Sequence, residues 1–359
     1  MGLIRLFLAL IVVVAHTDPF FGFEFLGGKI SVQAFYIISG FYMALILNEK
    51  YIGINNSYKL FLTNRLIRLY PVYWTVLISL VLFSLSYGLI TNGESFAYLH
   101  QFKNNHDILS PSSYVIFIFS NVFIFFQDAL LFFEINPANG LLFFQPRFDS
   151  NALNGFDFAL IPQAWTVSLE LSFYLIAPFI VRRKTSSIIY LFIIILILRI
   201  LMKYVWDFNY TPWNFRFFPI ELTFFLLGII SYKLYKSNRL KNINNKLNKI
   251  IFAGIILLII CYDRIQIANK TELFFLLFFL AIPFIFNLTK KSKLDRYLGE
   301  LSYPIYIVHI FVILIGRSLE KQGIHLNNIM LMMISLAAAV FLKHFVSDRI
   351  EVFRQRRVK

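Results

Sequence analysis

Ten apolar runs, most of them close to the roughly 20 residues that cross a bilayer's hydrocarbon core, divide this chain and leave few folds open to it. They lie at 3–17, 30–48, 71–90, 162–181, 187–205, 217–235, 247–265, 272–289, 298–316 and 328–346. Backbone polar groups in hydrocarbon must be satisfied within their own segment, so the runs are expected to be helices. Of the 359 residues, 58% are hydrophobic, 18% aromatic and only 15% charged. A soluble domain has about half apolar and a quarter charged residues. The expected fold class is therefore an all-α polytopic membrane protein with about ten transmembrane helices.

The net charge of +15 arises from 34 Lys and Arg against 19 Asp and Glu. Most of the basic residues fall at Arg5 or in the connections 49–70, 182–184, 233–249, 290–296 and 343–359, which alternate with connections richer in acids. The positive-inside bias then places both termini in the cytoplasm. The charge reads as a topology signal plus affinity for anionic lipid. Nucleic-acid binding is disfavoured, because the basic clusters adjoin membrane helices.

An eleventh apolar run, 114–126, is too short for a span and would reverse that parity. Its aromatic content suits an interfacial or re-entrant segment. It belongs to one long connection, 91–161, read as an ordered cap on the exterior face. The whole of 1–359 is read as a single membrane domain with no appended soluble domain. The start mimics a signal peptide ending at Val13-Val14-Ala15, and it is read as a retained first span. With Cys261 alone, neither an internal disulfide nor a thiolate cluster can form, and no His pair has metal-ligand spacing, so no metal is expected.

Ionisable residues inside membrane spans are functional candidates by default. His16 lies eleven residues beyond Arg5 on the first helix, a rise of about 16 Å. Ser39 and Gly40 put two small residues in the middle of the second span, where small side chains let helices approach. Arg65 and Arg68 are three apart on one helical face, just before Pro71, which is expected to open the third span. Glu170 sits among apolar neighbours in the fourth span, where a carboxylate must be protonated or paired. Tyr306 and His309 recur within the ninth.

Counting helical rise from the expected span ends places His16, Ser39, Glu170 and His309 in one layer near the midplane. Arg5, Arg65 and Arg68 form a second layer at the cytoplasmic interface. Arg199 and Lys203 are read as snorkelling to the opposite interface, with Glu221 or Glu170 as the other partners within reach of Arg199.

These segments resemble acyltransferase family 3 of integral membrane proteins. The matching motifs are Arg5-x10-His16, FYIISGF at 35–41, RLIRLYPVYW at 65–74, WTVSLELSFYLIAP at 165–178, FFPIELTFFLLG at 217–228, LGELSYPIYIVHIF at 298–311 and the terminal Ile350-Glu351. They run in family order. Thr166 stands where the family usually has Ser, and Leu171 where it often has a second acid.

The resemblance implies transfer of an acyl group, commonly acetyl from acetyl-CoA, to a hydroxyl of a carbohydrate. It carries an essential Arg–His pair onto Arg5 and His16, a motif serine onto Ser39, and an RxxR pair onto Arg65 and Arg68. Phosphates of acetyl-CoA, a co-substrate with no resident cofactor beside it, are expected on Arg5, Arg65 and Arg68. His16, in apolar surroundings, is expected to act as general base or acyl carrier, with Glu170 or Asp18 orienting it. His309 is the second imidazole of that layer, and Tyr306 or Ser39 would donate to the developing oxyanion.

The acceptor expected is a cell-surface or secreted glycan, such as O-antigen, capsule, exopolysaccharide or a glycolipid precursor, and the location a bacterial inner membrane. The other function open to these residues is a transporter or flippase that exports a glycan or weak acid along a His/Glu/Arg-lined path. That fold would favour repeated halves, and no repeat is visible.

Overall fold

A computed structural model describes residues 1–51, 57–92, 96–237 and 244–357. In chain order, α1 spans Gly2–Val14, α2 Gly27–Glu49, α3 Ser57–Ile90, α4 His100–Asn104, α5 Pro111–Phe123, α6 Trp165–Val181 and α7 Thr185–Tyr204. Then follow α8 Phe218–Lys236, α9 Asn245–Cys261, α10 Lys270–Thr289, α11 Lys293–Glu320, α12 Asn328–Leu342 and α13 Asp348–Arg356. Among the described residues, 9 helices are long and apolar enough to cross a membrane. The all-α membrane class is therefore what the chain adopts, and the first of the ten expected spans is the exception in length.

That first helix has only 13 residues, about 20 Å of rise against a hydrocarbon core of about 30 Å. Its end is written in the residues that follow. The His16 ring bonds the Val12 carbonyl at 2.8 Å, and the Thr17 hydroxyl donates to Val13 and Val14 carbonyls at 3.3 Å. Side chains thus take over acceptors that a further turn would have used. Pro19 also disfavours a helical Asp18.

One face of the bundle gathers the chain's N-terminus, and its contacts are polar. The Met1 ammonium pairs with Asp295 at 2.7 Å, Lys236 with Glu49 at 2.6 Å, and Arg182 donates to the Tyr51 carbonyl at 2.6 Å. At the opposite, far face Trp213 donates to the Pro146 carbonyl at 2.7 Å and Arg264 to that of Gly22 at 3.0 Å.

Pro71 does not open a span. The helix runs unbroken from Ser57 to Ile90 with Pro71 inside it. An interior proline removes one helix donor, but neighbouring membrane helices can re-satisfy nearby carbonyls. Here the Tyr303 hydroxyl of α11 donates to Leu69 at 2.9 Å. Arg65 and Arg68 consequently belong to the spanning helix itself.

Within the 91–161 connection, α5 enters from the far face and ends level with the middle of α3. A helix end buried there needs donors for its last carbonyls. Tyr73 donates to Asn121 at 2.6 Å, Trp74 to Val122 at 2.8 Å, and Tyr70 to Phe123. Side chains of α3 thus cap the helical part of the run at 114–126. Tyr73→Phe would leave the Asn121 carbonyl buried without that donor, costing about 1–3 kcal/mol. A lowered melting temperature of the detergent-solubilised protein is the expected reading.

The remainder of the connection pairs β1, Phe133–Ile135, antiparallel with β2, Leu142–Phe144, in the register Phe133↔Phe144. Leu109, Phe117, Leu130, Ile135 and Phe158 form a separate apolar cluster beneath it. Elsewhere α2 and α8 cross in close contact at Gly40 and Gly228.

Candidate active site

Thr166, Glu170 and Tyr174 are four apart on α6, so they stand in a row on one helical face. Ser39 on α2 donates to Glu170 Oε1 at 2.6 Å, and the Tyr174 hydroxyl donates to the same oxygen at 2.6 Å. One turn earlier, Thr166 donates to the Tyr306 hydroxyl at 2.8 Å, which donates on to the Gln163 carbonyl at 3.2 Å. Two of the expected site residues, Ser39 and Glu170, are thus in direct contact, and Tyr306 joins the same helix face through Thr166.

The two imidazoles also meet. Ring centroids of His16 and His309 are 5.1 Å apart, and His309 is 5.8 Å from the Tyr306 ring. His16 Nδ1 lies 2.8 Å from the Val12 carbonyl and His309 Nδ1 2.8 Å from that of Tyr306. A carbonyl only accepts, so each Nδ1 carries a hydrogen, and in the neutral ring the lone pair is then at Nε2. His309 is fully buried, and its Nε2 has no partner among the described residues.

Three expectations need correction here. His16 is exposed, not wrapped in apolar side chains, because α1 stops beside His309 while α11 continues to Glu320, about 16 Å further. Neither Glu170 nor Asp18 orients an imidazole: Glu170 is taken by hydroxyls, and Asp18 is 3.5 Å from the Asn328 amide. Nor does Arg199 snorkel. It pairs with the fully buried Glu221 at 3.3 Å, while Gln33 donates to both oxygens of that carboxylate at 3.0 and 3.1 Å. A buried carboxylate without partners would be far more costly than the lost hydration of Arg199.

A cavity of about 460 Å³ extends from the N-terminal face to this layer, lined by Arg5, Arg65 and Arg68 and, deeper, by Ser39, Glu170 and Tyr306. Its size is that of a small-molecule site. Neither histidine lines it; Tyr306 does, and its ring is 5.8 Å from that of His309.

Lys50, Lys290, Arg296 and Arg354 complete its basic lining, against three carboxylates, Glu170, Asp295 and Glu300. Those acids are committed elsewhere. Asp295 accepts from the Met1 ammonium and the Gly2 amide at 2.7 Å, and Glu300 pairs with Lys343 at 3.4 Å. Among the described residues Arg5, Arg65 and Arg68 make no ion pair, and Arg65 Nε has no partner.

Two cavity residues escaped the sequence reading. Tyr36, three before Ser39, lines the cavity with a buried hydroxyl that has no partner; its place in the FYIISGF segment was the available signal. Arg354 lies in a basic tail that resembles any positive-inside cluster. Ser39 and Tyr306 already donate to Glu170 and Gln163, whereas the buried Tyr36 hydroxyl keeps an uncommitted proton.

Comparison with known proteins gives two matches. The profile of a family described as an acyltransferase domain matches residues 1–343. A protein named "Putative acetyltransferase ORF330", from Acidianus two-tailed virus, is 27% identical over a 202-residue alignment that covers 52% of this chain and 57% of that protein. The similarity thus spans little more than half of that relative's length. No solved structure matches.

Proposed function

The chain belongs to the acyltransferase family whose domain covers residues 1–343, and from that premise we propose that it moves an acetyl group from acetyl-CoA to a hydroxyl of a cell-surface or secreted glycan. A multi-pass membrane acyltransferase is the coarse statement; donor, acceptor and residue roles are the proposal. The observation that carries it is the cavity, with a cationic mouth, a hydroxyl- and carboxylate-lined interior, and two imidazoles one aromatic ring beyond.

In this reading the N-terminal face is cytoplasmic, in a bacterial inner membrane, and donor phosphates rest on Arg5, Arg65 and Arg68. Guanidinium forks match phosphate oxygens in geometry and charge. The pantetheine arm then fills the cavity and brings the thioester carbonyl to the level of Tyr306. The acceptor arrives from the far face, where His16 is exposed.

Its hydroxyl oxygen bonds to the thioester carbon as its proton passes to His16 Nε2, and the carbon–sulfur bond then breaks. The departing thiolate takes up the proton. Negative charge on the carbonyl oxygen during that step meets the Tyr36 hydroxyl, a donor with no other commitment. Ser39 and Tyr174 hold Glu170 in place.

The test is direct. Purified protein in detergent should release CoA thiol from acetyl-CoA when a glycan acceptor is present, without any ion gradient, and surface glycans from cells with and without the chain should differ in mass by one acetyl group. No turnover, together with glycan export that requires a gradient, would favour the transport reading instead. Arg68→Ala should raise KM for acetyl-CoA by roughly 10-fold or more, the worth of a charge-assisted hydrogen bond, with little change in kcat. An unchanged KM would place the donor elsewhere.

A further inference from the structure

We infer that α13, which begins after the last residue matched by the family profile, supplies Arg354 as a fourth guanidinium of a polyanion site at the cavity mouth, one that recognises a nucleotide with two separate phosphate groups. The inference rests on the acyl-CoA reading above and names the part of the donor that this helix would hold.

Arg354 is 7% exposed although it lies on a short, charged helix. Two contacts fix α13 against α3: Arg357 donates to Asn64 and to Thr63, each at 2.9 Å. Nη1 of Arg354 is bonded to Glu351, while Nε is buried with no partner among the described residues. The edge of the guanidinium that carries Nε is therefore dry and unspent, and that edge is one of the two with which arginine forks an oxyanion.

Charge makes the same point. Arg68 is a like-charged neighbour of Arg5, Arg65 and Arg354 alike, and Arg354 also feels Arg65. Among the described residues Glu351 is the one carboxylate in an ion pair with any of these four. Repulsion between like charges in a partly dehydrated mouth is unfavourable unless an anion offsets it. The four groups come from three elements, α1, α3 and α13, and line one cavity. A single phosphate would leave most of that charge unbalanced; a phosphomonoester plus a diphosphate on one nucleotide would not.

The test uses the full chain in detergent, with binding of adenosine 3′,5′-bisphosphate and of CoA measured by calorimetry. Arg354→Gln should weaken CoA binding on the order of tenfold. Arg356→Gln, an equal loss of charge at an exposed position of α13, should leave it unchanged. Glu351→Gln should tighten binding, since it removes the carboxylate that competes for Arg354. A merely structural Arg354–Glu351 pair would instead make both substitutions act in the same direction.

Turnover of S-acetylpantetheine, which carries none of the nucleotide's phosphates, should fall in Arg354→Gln by a smaller factor than turnover of acetyl-CoA does. Equal CoA affinity in Arg354→Gln and wild type, or an equal loss in Arg356→Gln, overturns the inference while leaving acyl transfer intact. Wild-type binding of the bisphosphate that Arg354→Gln loses, with no thioester consumed by either protein, sustains the polyanion site and removes the acyl-transfer reading.

Discussion

His16→Ala should lower acyl transfer by about 10²- to 10⁴-fold, the usual worth of a positioned general base, while the chain remains folded and inserted. The ring is exposed, and its hydrogen bond goes to the Val12 carbonyl of its own helix, so its loss opens no buried void. What the variant lacks is the lone pair at Nε2, which has no hydrogen-bond partner among the described residues. CoA-thiol release by purified protein gives the rate, and a thermal melt on the same sample gives the fold. Full activity in a folded His16→Ala protein would sink the mechanism.

His309→Ala provides the contrast. His309 is fully buried and bonds the Tyr306 carbonyl at 2.8 Å. Its removal is expected to depress both melting temperature and activity, since it leaves a void beside the Tyr306 ring.

Much of this arrangement was legible before any coordinates, and the reason lies in helical rise. His16 and His309 are on helices that run in the same direction from one face, so counting residues from Arg5 and Leu298 predicts that they share a level; their rings meet at 5.1 Å. Ser39 and Glu170 descend from the other face and agree equally well. The counting fails where a helix end depends on local chemistry. Nothing periodic announces that His16 and Thr17 will cap α1 at Val14, and so the exposure of His16 was hidden. Pro71 misled in the opposite sense, because the Tyr303 donor near its helix comes from more than two hundred positions away.

Partner choice was harder still. Arg199 had snorkelling, Glu221 and Glu170 all within helical reach, and only the burial of Glu221 beside Gln33 decides among them. A cavity is harder again, since its volume is set by what several helices leave unfilled. The three arginines were named as a layer, yet the empty space that joins them to Tyr306 has no signature along the chain.

Gly40→Ala should cost more than about 3 kcal/mol and remove most of the folded protein, an effect larger than ordinary overpacking because backbone rather than side chain is in the way. A Cβ at Gly40 would lie 2.0 Å from the Phe225 carbonyl oxygen of α8, and one at Gly228 would lie 2.0 Å from that of Ile37 on α2. Neither helix can yield locally: Tyr36 of α2 stacks on Phe225 of α8 at 4.6 Å and would lose that contact if the two separated, while Phe173 of α6 stacks on Phe225 at 4.2 Å and holds α8 in place. Two glycines facing one another thus set the helix spacing that brings Ser39 to α6.

Ser39→Ala touches none of this. It removes one hydroxyl from Glu170 and leaves the Tyr174 donor at 2.6 Å, so its melt should stay close to that of the wild type while turnover falls. Adjacent residues of one motif are therefore expected to separate by readout. Yield and melting temperature in a fluorescence-monitored size-exclusion assay would report Gly40, and thiol release would report Ser39. A stable, active Gly40→Ala protein would mean that α2 and α8 do not approach as closely as these contacts require.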